Sequence, residues 1–238
     1  MIRIGPASYR FVNKDIEFNI GHIEKAILHS KGKVDLLCFG ETFLQGFDSL
    51  CWNFDVDKDM VVSVDSPIIE RIKKLSENHQ VDLLLGYVER AGEKLFSSCI
   101  LVEKGIIKVN YRRISEGWKE NSITDYQYCQ GSASEEFTYR DVNFKIALCG
   151  DMWVCPEKFK TDGIVLWPVF CDYTKDEWMK TAKYEYAKQA NLASPNVLLV
   201  NSISSEESKS LGGAFHFKDG EIAGELELGH ENILIIDI

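Results

Sequence analysis

The chain has 238 residues, of which 45% are hydrophobic and 27% charged, as in a globular protein with one substantial core. A net charge of −10 argues against a nucleic-acid partner, because phosphate binding depends on clustered Lys and Arg side chains. The first residues, Met1–Pro6, show no basic region followed by an apolar stretch, and no apolar run approaches the length of a membrane span, so we expect neither a secretion signal nor a membrane-spanning segment. We therefore expect one cytoplasmic domain over residues 1–238, without a nucleic-acid or membrane partner.

The seven cysteines are too irregularly spaced for a disulfide framework or a metal site. Their number is odd, and no C-x-x-C pair occurs among positions 38, 51, 99, 129, 149, 155 and 171. Tetrahedral zinc sites and small disulfide scaffolds both need paired spacing. We expect free thiols in a reducing compartment and no bound metal.

The first half of the chain begins with strands that alternate with helices and then changes to hairpins. Alternation predicts a strand over Ile2–Ser8, and apolar residues at helical spacing predict a helix over Asp15–Lys31. The apolar run Val34–Glu41 predicts a second strand, which carries Glu41 to the rim of the sheet. Ser66 followed by Pro67 marks the start of a second helix. Glycine turns then join three antiparallel strands, predicted at Val81–Tyr87, Phe96–Val102 and Ile106–Arg112.

The second half returns to alternating strands and helices and ends in hairpins. The predicted elements are, in order, a strand at Phe144–Leu148, a short helix at Pro156–Lys160, a strand at Gly163–Phe170, a long helix at Glu177–Asn191, a strand at Val197–Asn201 and hairpin strands within Gly213–Ile238. Both halves therefore pass through strand, helix and strand in a similar order. This repetition predicts an α/β fold in which two sheets stack with helices outside, a four-layer α-β-β-α sandwich.

Residues with complementary chemistry lie where separate strands end. Cys149 follows the buried strand Phe144–Leu148, and ligands bind at the carboxyl ends of such strands. Glu41 could accept the thiol proton, and Arg113 or nearby Lys119 could stabilise developing negative charge. Gly150 offers a backbone N–H directly after the thiol. Because no histidine lies near these segments, a carboxylate, a cation and a thiol form the candidate catalytic set.

Five segments together resemble the carbon–nitrogen hydrolase (nitrilase) superfamily. They occur in the family's order and extend over essentially the whole chain: Cys38-Phe39-Gly40-Glu41, Val109-Asn110-Tyr111-Arg112-Arg113, Ile146-Ala147-Leu148-Cys149-Gly150-Asp151, Leu166-Trp167-Pro168-Val169-Phe170, and Asn201-Ser202 followed by Gly212-Gly213. The resemblance implies an α-β-β-α sandwich and a homodimer. It also implies hydrolysis of non-peptide C–N bonds by a Glu-Lys-Cys triad without metal or cofactor, through a thioester. By position, Glu41 matches the general base and Cys149 the nucleophile.

The sequence departs from the family pattern at the lysine and at a second carboxylate. Arg113 occupies the lysine position, and its guanidinium differs from an ammonium in reach and geometry. Lys119 is an alternative source of the positive charge. Glu120 and Asp125 are both candidates for the second acid that the family often has, and the residues do not decide between them.

Aromatic residues near the nucleophile are candidates for a substrate pocket. Trp153 and Phe170 are the main ones, since small-molecule sites are largely apolar and aromatic. The leading hypothesis is an amidase that acts on a small non-peptide amide and releases ammonia or an amine. Two alternatives stay open: an acyltransferase that uses the same thioester, and a binding protein in which the change from Lys to Arg has removed turnover.

Overall fold

A computed structural model describes residues 1–206 and 210–238 of the chain. It confirms the predicted four-layer α/β sandwich, with two mixed sheets face to face and helices on their outer sides. The strands are β1 (Arg3–Ser8), β2 (Arg10–Phe11), β3 (Leu36–Cys38), β4 (Asp82–Ala91), β5 (Lys94–Glu103), β6 (Ile106–Arg112), β7 (Phe137–Tyr139), β8 (Val142–Ile146), β9 (Ile164–Val169), β10 (Asn196–Ser204), β11 (Leu211–Lys218), β12 (Glu221–Glu225), β13 (Asn232–Ile233) and β14 (Ile236–Asp237). The α-helices are α1 (Ile16–Ser30), α2 (Phe54–Asp57), α3 (Pro67–His79), α4 (Asp151–Val154), α5 (Lys175–Glu177) and α6 (Lys183–Ala190).

The first sheet contains the strands of the first half of the chain in the order β13-β1-β3-β4-β5-β6, and β14 also pairs with β1. Strands β1, β3 and β4 are parallel, whereas β5 and β6 continue as an antiparallel meander. Two antiparallel reversals give β6 the same direction as β4. The carboxyl ends of β3 and β6 therefore lie at the same edge of this sheet.

The second sheet has the order β12-β11-β10-β9-β8-β7, and β2 joins β10. Its central strands β8, β9 and β10 are parallel. The edges of the two sheets meet at the carboxyl ends of these strands, because the amide of Glu41 donates to the carbonyl of Val169 at 3.3 Å. This common edge places the segments after β3, β6, β8 and β9 near each other.

Alternation along the strands divides the buried side chains between two layers of the core. In β3, Leu36 and Cys38 point into the core between the sheets, whereas Leu37 packs in the layer under α1 and α3. Successive strand residues face opposite sides of a sheet. A strand with helices on one side and a second sheet on the other is therefore apolar at every position.

The helix starts agree with their sequence signals. The Asp15 side chain accepts from the amide of Phe18 and caps α1, and Ser66 caps α3 directly before Pro67. Both helices pack against the first sheet. In the described part of the chain, no helix is both long enough and apolar enough to cross a membrane.

Several observed elements differ from the predicted ones. The predicted helix Glu177–Asn191 is interrupted, since α5 continues into a π-helical turn (Trp178–Ala182) before α6. The predicted strand Val34–Glu41 is reduced to β3, so Glu41 lies in the following loop. The three-residue strand β7 was not predicted, because a strand this short carries no readable alternation.

Candidate active site

The thiol of Cys149 lies on a strained turn after β8. Cys149 has a φ of +42°, which is uncommon for a residue with a side chain. Hydrogen bonds on both sides hold this conformation: its amide donates to the Pro168 carbonyl at 2.9 Å, and its carbonyl accepts from Nε1 of Trp167 at 2.9 Å. The Sγ atom lies 3.4 Å from the carbonyl oxygen of Phe170. The turn therefore presents a partly buried thiol at the common sheet edge.

Glu41 is placed by the loop after β3, which passes closely over β4. A Cβ at Gly86 would lie 2.3 Å from the carbonyl oxygen of Gly40, so only glycine permits this approach. Thr42 follows with a φ of +50°, which completes the sharp turn. As a result the Glu41 side chain is fully buried, and the structure leaves its Oε2 atom without a hydrogen-bond partner among the described residues.

The other carboxylate oxygen of Glu41 binds Arg113. Oε1 accepts from Nη1 of Arg113 at 2.9 Å and from the hydroxyl of Ser97 at 2.7 Å. Nε of Arg113 donates to Oγ of Ser115 at 2.8 Å. Arg113 is only 3% exposed, so a buried ion pair lies at the position where a Glu-Lys pair was expected from the resemblance.

Gly150 makes room for the guanidinium. A Cβ on Gly150 would lie 2.4 Å from Nη2 of Arg113 and 3.2 Å from Oγ of Ser115, and one on Gly117 would lie 3.2 Å from the same Nη2. The guanidinium thus packs against the backbone directly after Cys149. The structure brings Glu41, Arg113, Cys149 and Gly150 together.

Burial and charge keep the thiol protonated at rest. Burial raises the pKa of Cys149 to about 12, and the Glu41 carboxylate adds to this increase, while the positive charge of Arg113 opposes it. Burial disfavours the charge of Arg113, but Glu41 and then Cys149 outweigh that effect and raise the pKa of the guanidinium. A permanently charged cation and a thiol that needs a base are therefore side by side.

The structural importance of Asp151 was not predicted from the sequence. This buried carboxylate accepts from the amides of Leu148, Ile114 and Ser115 and from the hydroxyl of Tyr111, at 2.9, 3.0, 2.7 and 2.5 Å. It joins the turn after β8 to the segment after β6. The visible signal in the sequence was an acid two residues beyond the predicted nucleophile.

Three predicted site residues lie outside this cluster. The ammonium of Lys119 donates to the carbonyl of Tyr128 at 2.5 Å, so the structure does not place it at Glu41 and Cys149. Glu120 and Asp125 are exposed and accept hydrogen bonds from residues of their own loop. Because the loop has no periodic pattern, its sequence could not show which side chains turn inward.

The two predicted aromatic residues pack against different neighbours. Trp153 is 42% exposed, and its ring centroid lies 4.9 Å from that of Tyr186 and 6.3 Å from that of Trp167. Phe170 is buried and stacks on Phe47 at 4.3 Å. Their roles in substrate binding stay predictions.

The described residues contain no group of three His, Cys, Asp or Glu side chains arranged to hold a metal ion. The site consists of an acid, a cation and a thiol. These groups suffice for proton transfer, charge stabilisation and nucleophilic attack on a polarised carbon.

A protein-family model described as carbon-nitrogen hydrolase matches residues 3–158. Among curated proteins, an arylacetonitrilase of Hypocrea virens is 28% identical over 102 residues, which are 40% of this chain and 31% of that protein. A bromoxynil-specific nitrilase of Klebsiella pneumoniae subsp. ozaenae is 32% identical over 82 residues, which are 32% of this chain and 24% of that protein. The matches thus cover less than a third of either relative.

Solved structures share the fold at low sequence identity. A superfamily protein from Xanthomonas campestris, with an arsenic adduct in its active site, has a TM-score of 0.79 and 15% identity, over 99% of this chain and 89% of that one. An amidase from Nesterenkonia sp. has a TM-score of 0.79 and 14% identity, over 100% and 90%. A glutamine-dependent NAD+ synthetase from Acinetobacter baumannii has a TM-score of 0.77 and 18% identity, over 98% and 45%.

Proposed function

Because the chain belongs to the carbon-nitrogen hydrolase family, we propose that it is a cysteine-dependent hydrolase of a small non-peptide amide. Cys149 is the nucleophile, Glu41 the general base, and Arg113 the positive charge that stabilises the oxyanion. The main support for this proposal is that an acid, a cation and a thiol from three distant segments meet at one sheet edge. Nη1 of Arg113 lies 2.9 Å from Oε1 of Glu41. The Gly150 amide is a second candidate donor to the oxyanion.

Glu41 transfers one proton in each half of the proposed reaction, first during formation of the thioester and then during its hydrolysis. Oε2 of Glu41 takes the thiol proton as sulfur attacks the amide carbon, and the carbonyl oxygen becomes negative beside Arg113. Glu41 then gives the proton to the leaving nitrogen, the C–N bond breaks, and ammonia or an amine leaves a thioester. Water passes a proton to Glu41 and attacks the thioester. The C–S bond breaks, the acid leaves, and the thiol regains its proton.

Ammonia release and thioester trapping test this proposal. The native protein is expected to release ammonia from propionamide or isobutyramide, and acid quenching is expected to leave the acyl mass on the peptide that contains Cys149. Cys149→Ala is expected to abolish both signals. Cys155→Ala, which removes a buried thiol six residues away, is the matched control and is expected to keep them. Equal ammonia release by Cys149→Ala would refute the assignment.

The same assay separates the two alternatives. Added hydroxylamine would be converted to a hydroxamate in preference to hydrolysis if the protein is an acyltransferase. A binding protein would react with an electrophile at Cys149 and release no ammonia from any amide. The partner proposed here is the amide itself, and the homodimer implied by the family resemblance is proposed as the assembled form.

A further inference from the structure

Two neighbouring serines of β5 each bind a buried carboxylate. The hydroxyl of Ser97 donates to Oε1 of Glu41, and the hydroxyl of Ser98 donates to Oε2 of Glu89, both at 2.7 Å. All four residues are at most 1% exposed. Because successive residues of a strand face opposite sides of the sheet, the two carboxylates have different surroundings. Only Glu41 belongs to the candidate active site.

Two successive arginines at the end of β6 bind the same carboxylates, but in different ways. Arg112 binds Glu89 with two nitrogens, Nη2 to Oε1 at 2.6 Å and Nε to Oε2 at 2.8 Å. Arg113 binds Glu41 through a single pair of atoms, Nη1 and Oε1, at 2.9 Å. Arginine–carboxylate pairs are frequently bidentate, so the single contact at Glu41 calls for a physical cause.

A free oxygen on Glu41 is the consequence of this difference. Both oxygens of Glu89 accept hydrogen bonds. Glu41 instead receives Ser97 and Arg113 on the same Oε1, and its Oε2 has no partner among the described residues. A general base needs such an oxygen to take a proton. After burial, the Glu41 charge is the next cause that raises the pKa of Cys149, so this carboxylate acts on the thiol.

Ser97 and Ser115 both favour the single contact. The Ser97 hydroxyl holds Oε1 of Glu41, and the Ser97 carbonyl accepts from the amide of Arg113 at 2.8 Å. One residue thus fixes both the base and the backbone of the cation. Nε of Arg113 donates to Ser115 at 2.8 Å, which occupies the edge of the guanidinium that Arg112 uses for its carboxylate. The remaining edge, Nη1 and Nη2, offers Glu41 a bidentate geometry that the Ser97 bond opposes.

Building on the proposed amide hydrolysis, we propose that Ser97 is a positioning residue that keeps Oε2 of Glu41 available to the Cys149 thiol. Without the Ser97 hydroxyl, the carboxylate turns until both of its oxygens meet the guanidinium of Arg113. The base then loses the oxygen that takes the thiol proton. The same rotation moves negative charge away from the sulfur. Ser97 itself contacts no reacting atom.

Ser97→Ala and Ser98→Ala are a matched pair of variants, since each removes one hydroxyl that donates at 2.7 Å to a buried carboxylate. Ser97→Ala is expected to lower kcat for propionamide about tenfold, the effect of losing one hydrogen bond to a charged group, and to leave KM unchanged. Ser98→Ala is expected to keep both values. Ser97→Thr retains a hydroxyl in a strand, where β-branched residues are favoured, and is expected to keep the native kcat. Circular dichroism sets the temperature at which every variant is folded.

Alkylation of Cys149 tests the same inference without any substrate. Ser97→Ala is expected to speed iodoacetamide labelling at pH 9 about threefold, because a like charge that has moved away disfavours the thiolate less. Ser98→Ala is expected to label at the native rate. In a Glu41→Gln background, Ser97→Ala is expected to add nothing further, since the charge that it would move is already absent. General loosening of the strand would instead speed labelling in both backgrounds.

The two measurements separate this inference from the proposed function. If no amide is hydrolysed but Ser97→Ala speeds labelling only in the presence of the Glu41 charge, the positioning role holds and only the proposed hydrolysis fails. If the native protein hydrolyses propionamide and Ser97→Ala keeps the native kcat, the positioning role is wrong. Equal losses of kcat in Ser97→Ala and Ser98→Ala, or in Ser97→Ala and Ser97→Thr, would also overturn it, as would faster labelling that persists in Glu41→Gln.

Discussion

Arg113 occupies the place of the family lysine in this chain, and the two side chains have different chemistry. A guanidinium holds its charge permanently and offers several donors in one plane. Here Nη1 binds Glu41, Nε binds Ser115, and Nη2 lies against Gly150. One side chain therefore contacts the base, its own loop and the backbone beside the nucleophile. Arg113 can stabilise an oxyanion, but it cannot donate a proton to the leaving group, so Glu41 must transfer every proton.

The close contact between Gly150 and the guanidinium predicts a large effect of one methyl group. Gly150→Ala places a Cβ 2.4 Å from Nη2 of Arg113, so the guanidinium must move away from the oxyanion position. We expect kcat to fall about 100-fold, the usual effect of losing one oxyanion donor, while circular dichroism shows an intact fold. Gly21→Ala is the control, because its Cβ would meet nothing within 4 Å in α1. Gly21→Ala is expected to leave kcat at the native value and to raise the free energy of unfolding by about 0.5–1 kcal/mol.

The charge of Glu41 predicts opposite effects on thiol reactivity and on turnover. Because burial and then the Glu41 charge raise the pKa of Cys149 to about 12, iodoacetamide labelling of Cys149 is expected to accelerate about tenfold per pH unit between pH 8 and 11. Glu41→Gln removes the negative charge but keeps a group that can bond to Ser97. It is expected to speed labelling at pH 9 and to abolish amide turnover, as measured by peptide mass spectrometry and ammonia release. Slower labelling in Glu41→Gln would contradict this electrostatic account.

At the scale of elements, the site depends on a connection between β6 and β8. These strands belong to different sheets, and the Asp151 carboxylate binds backbone amides in the segments that follow both. This connection fixes Arg113 and Cys149 relative to each other. Asp151 is therefore a positioning residue with no need to contact the substrate.

Asp151→Asn tests this connection. An amide retains one acceptor oxygen, but its NH2 group would face the amide of Leu148 or that of Ser115, so at least one buried donor loses its partner. We expect the free energy of unfolding to fall by about 2–3 kcal/mol in urea. We also expect kcat to fall at temperatures where the variant is folded. Asp65→Asn, in an exposed position before α3, is the control and is expected to stay within about 0.5 kcal/mol of the native protein.

The sequence predicts long elements and rim residues better than it predicts loops. Helix α1 and strand β6 were predicted closely because their patterns are regular. Glu41 and Cys149 were identified because each closely follows a clear apolar run, although the observed strands β3 and β8 end three residues before them. Arg113 was identified through its position after β6. Lys119 and Glu120 were predicted as site residues, but their side chains lie outside the cluster of Glu41, Arg113 and Cys149. The prediction failed there because an aperiodic loop gives no information on which side chains point inward. Long-range contacts such as those of Asp151 are also invisible to a local pattern.

At the scale of the whole molecule, the site exists only when the two sheets are packed together. Glu41 and Arg113 come from the first sheet and Cys149 from the second. Cys38 and Cys99 are buried in the core between these sheets. Conditions that destabilise this core should therefore remove the site together with the fold.

High pH is one such condition, because folding keeps the buried thiols protonated. Burial raises the pKa of Cys38 and of Cys99 above the ordinary value of about 9. Above pH 9 the unfolded chain loses these protons while the folded chain keeps them, so the free energy of unfolding falls as pH rises, by about 1.4 kcal/mol per pH unit for each thiol. Urea unfolding at pH 8 and pH 10 is expected to show this fall. In Cys38→Ala the fall should be smaller by about 1.4 kcal/mol, whereas Ser76→Ala, a buried change without an ionising group, should leave it unchanged. An equal fall in Cys38→Ala and the native protein would mean that Cys38 titrates alike in both states and that the inter-sheet core does not hold its proton.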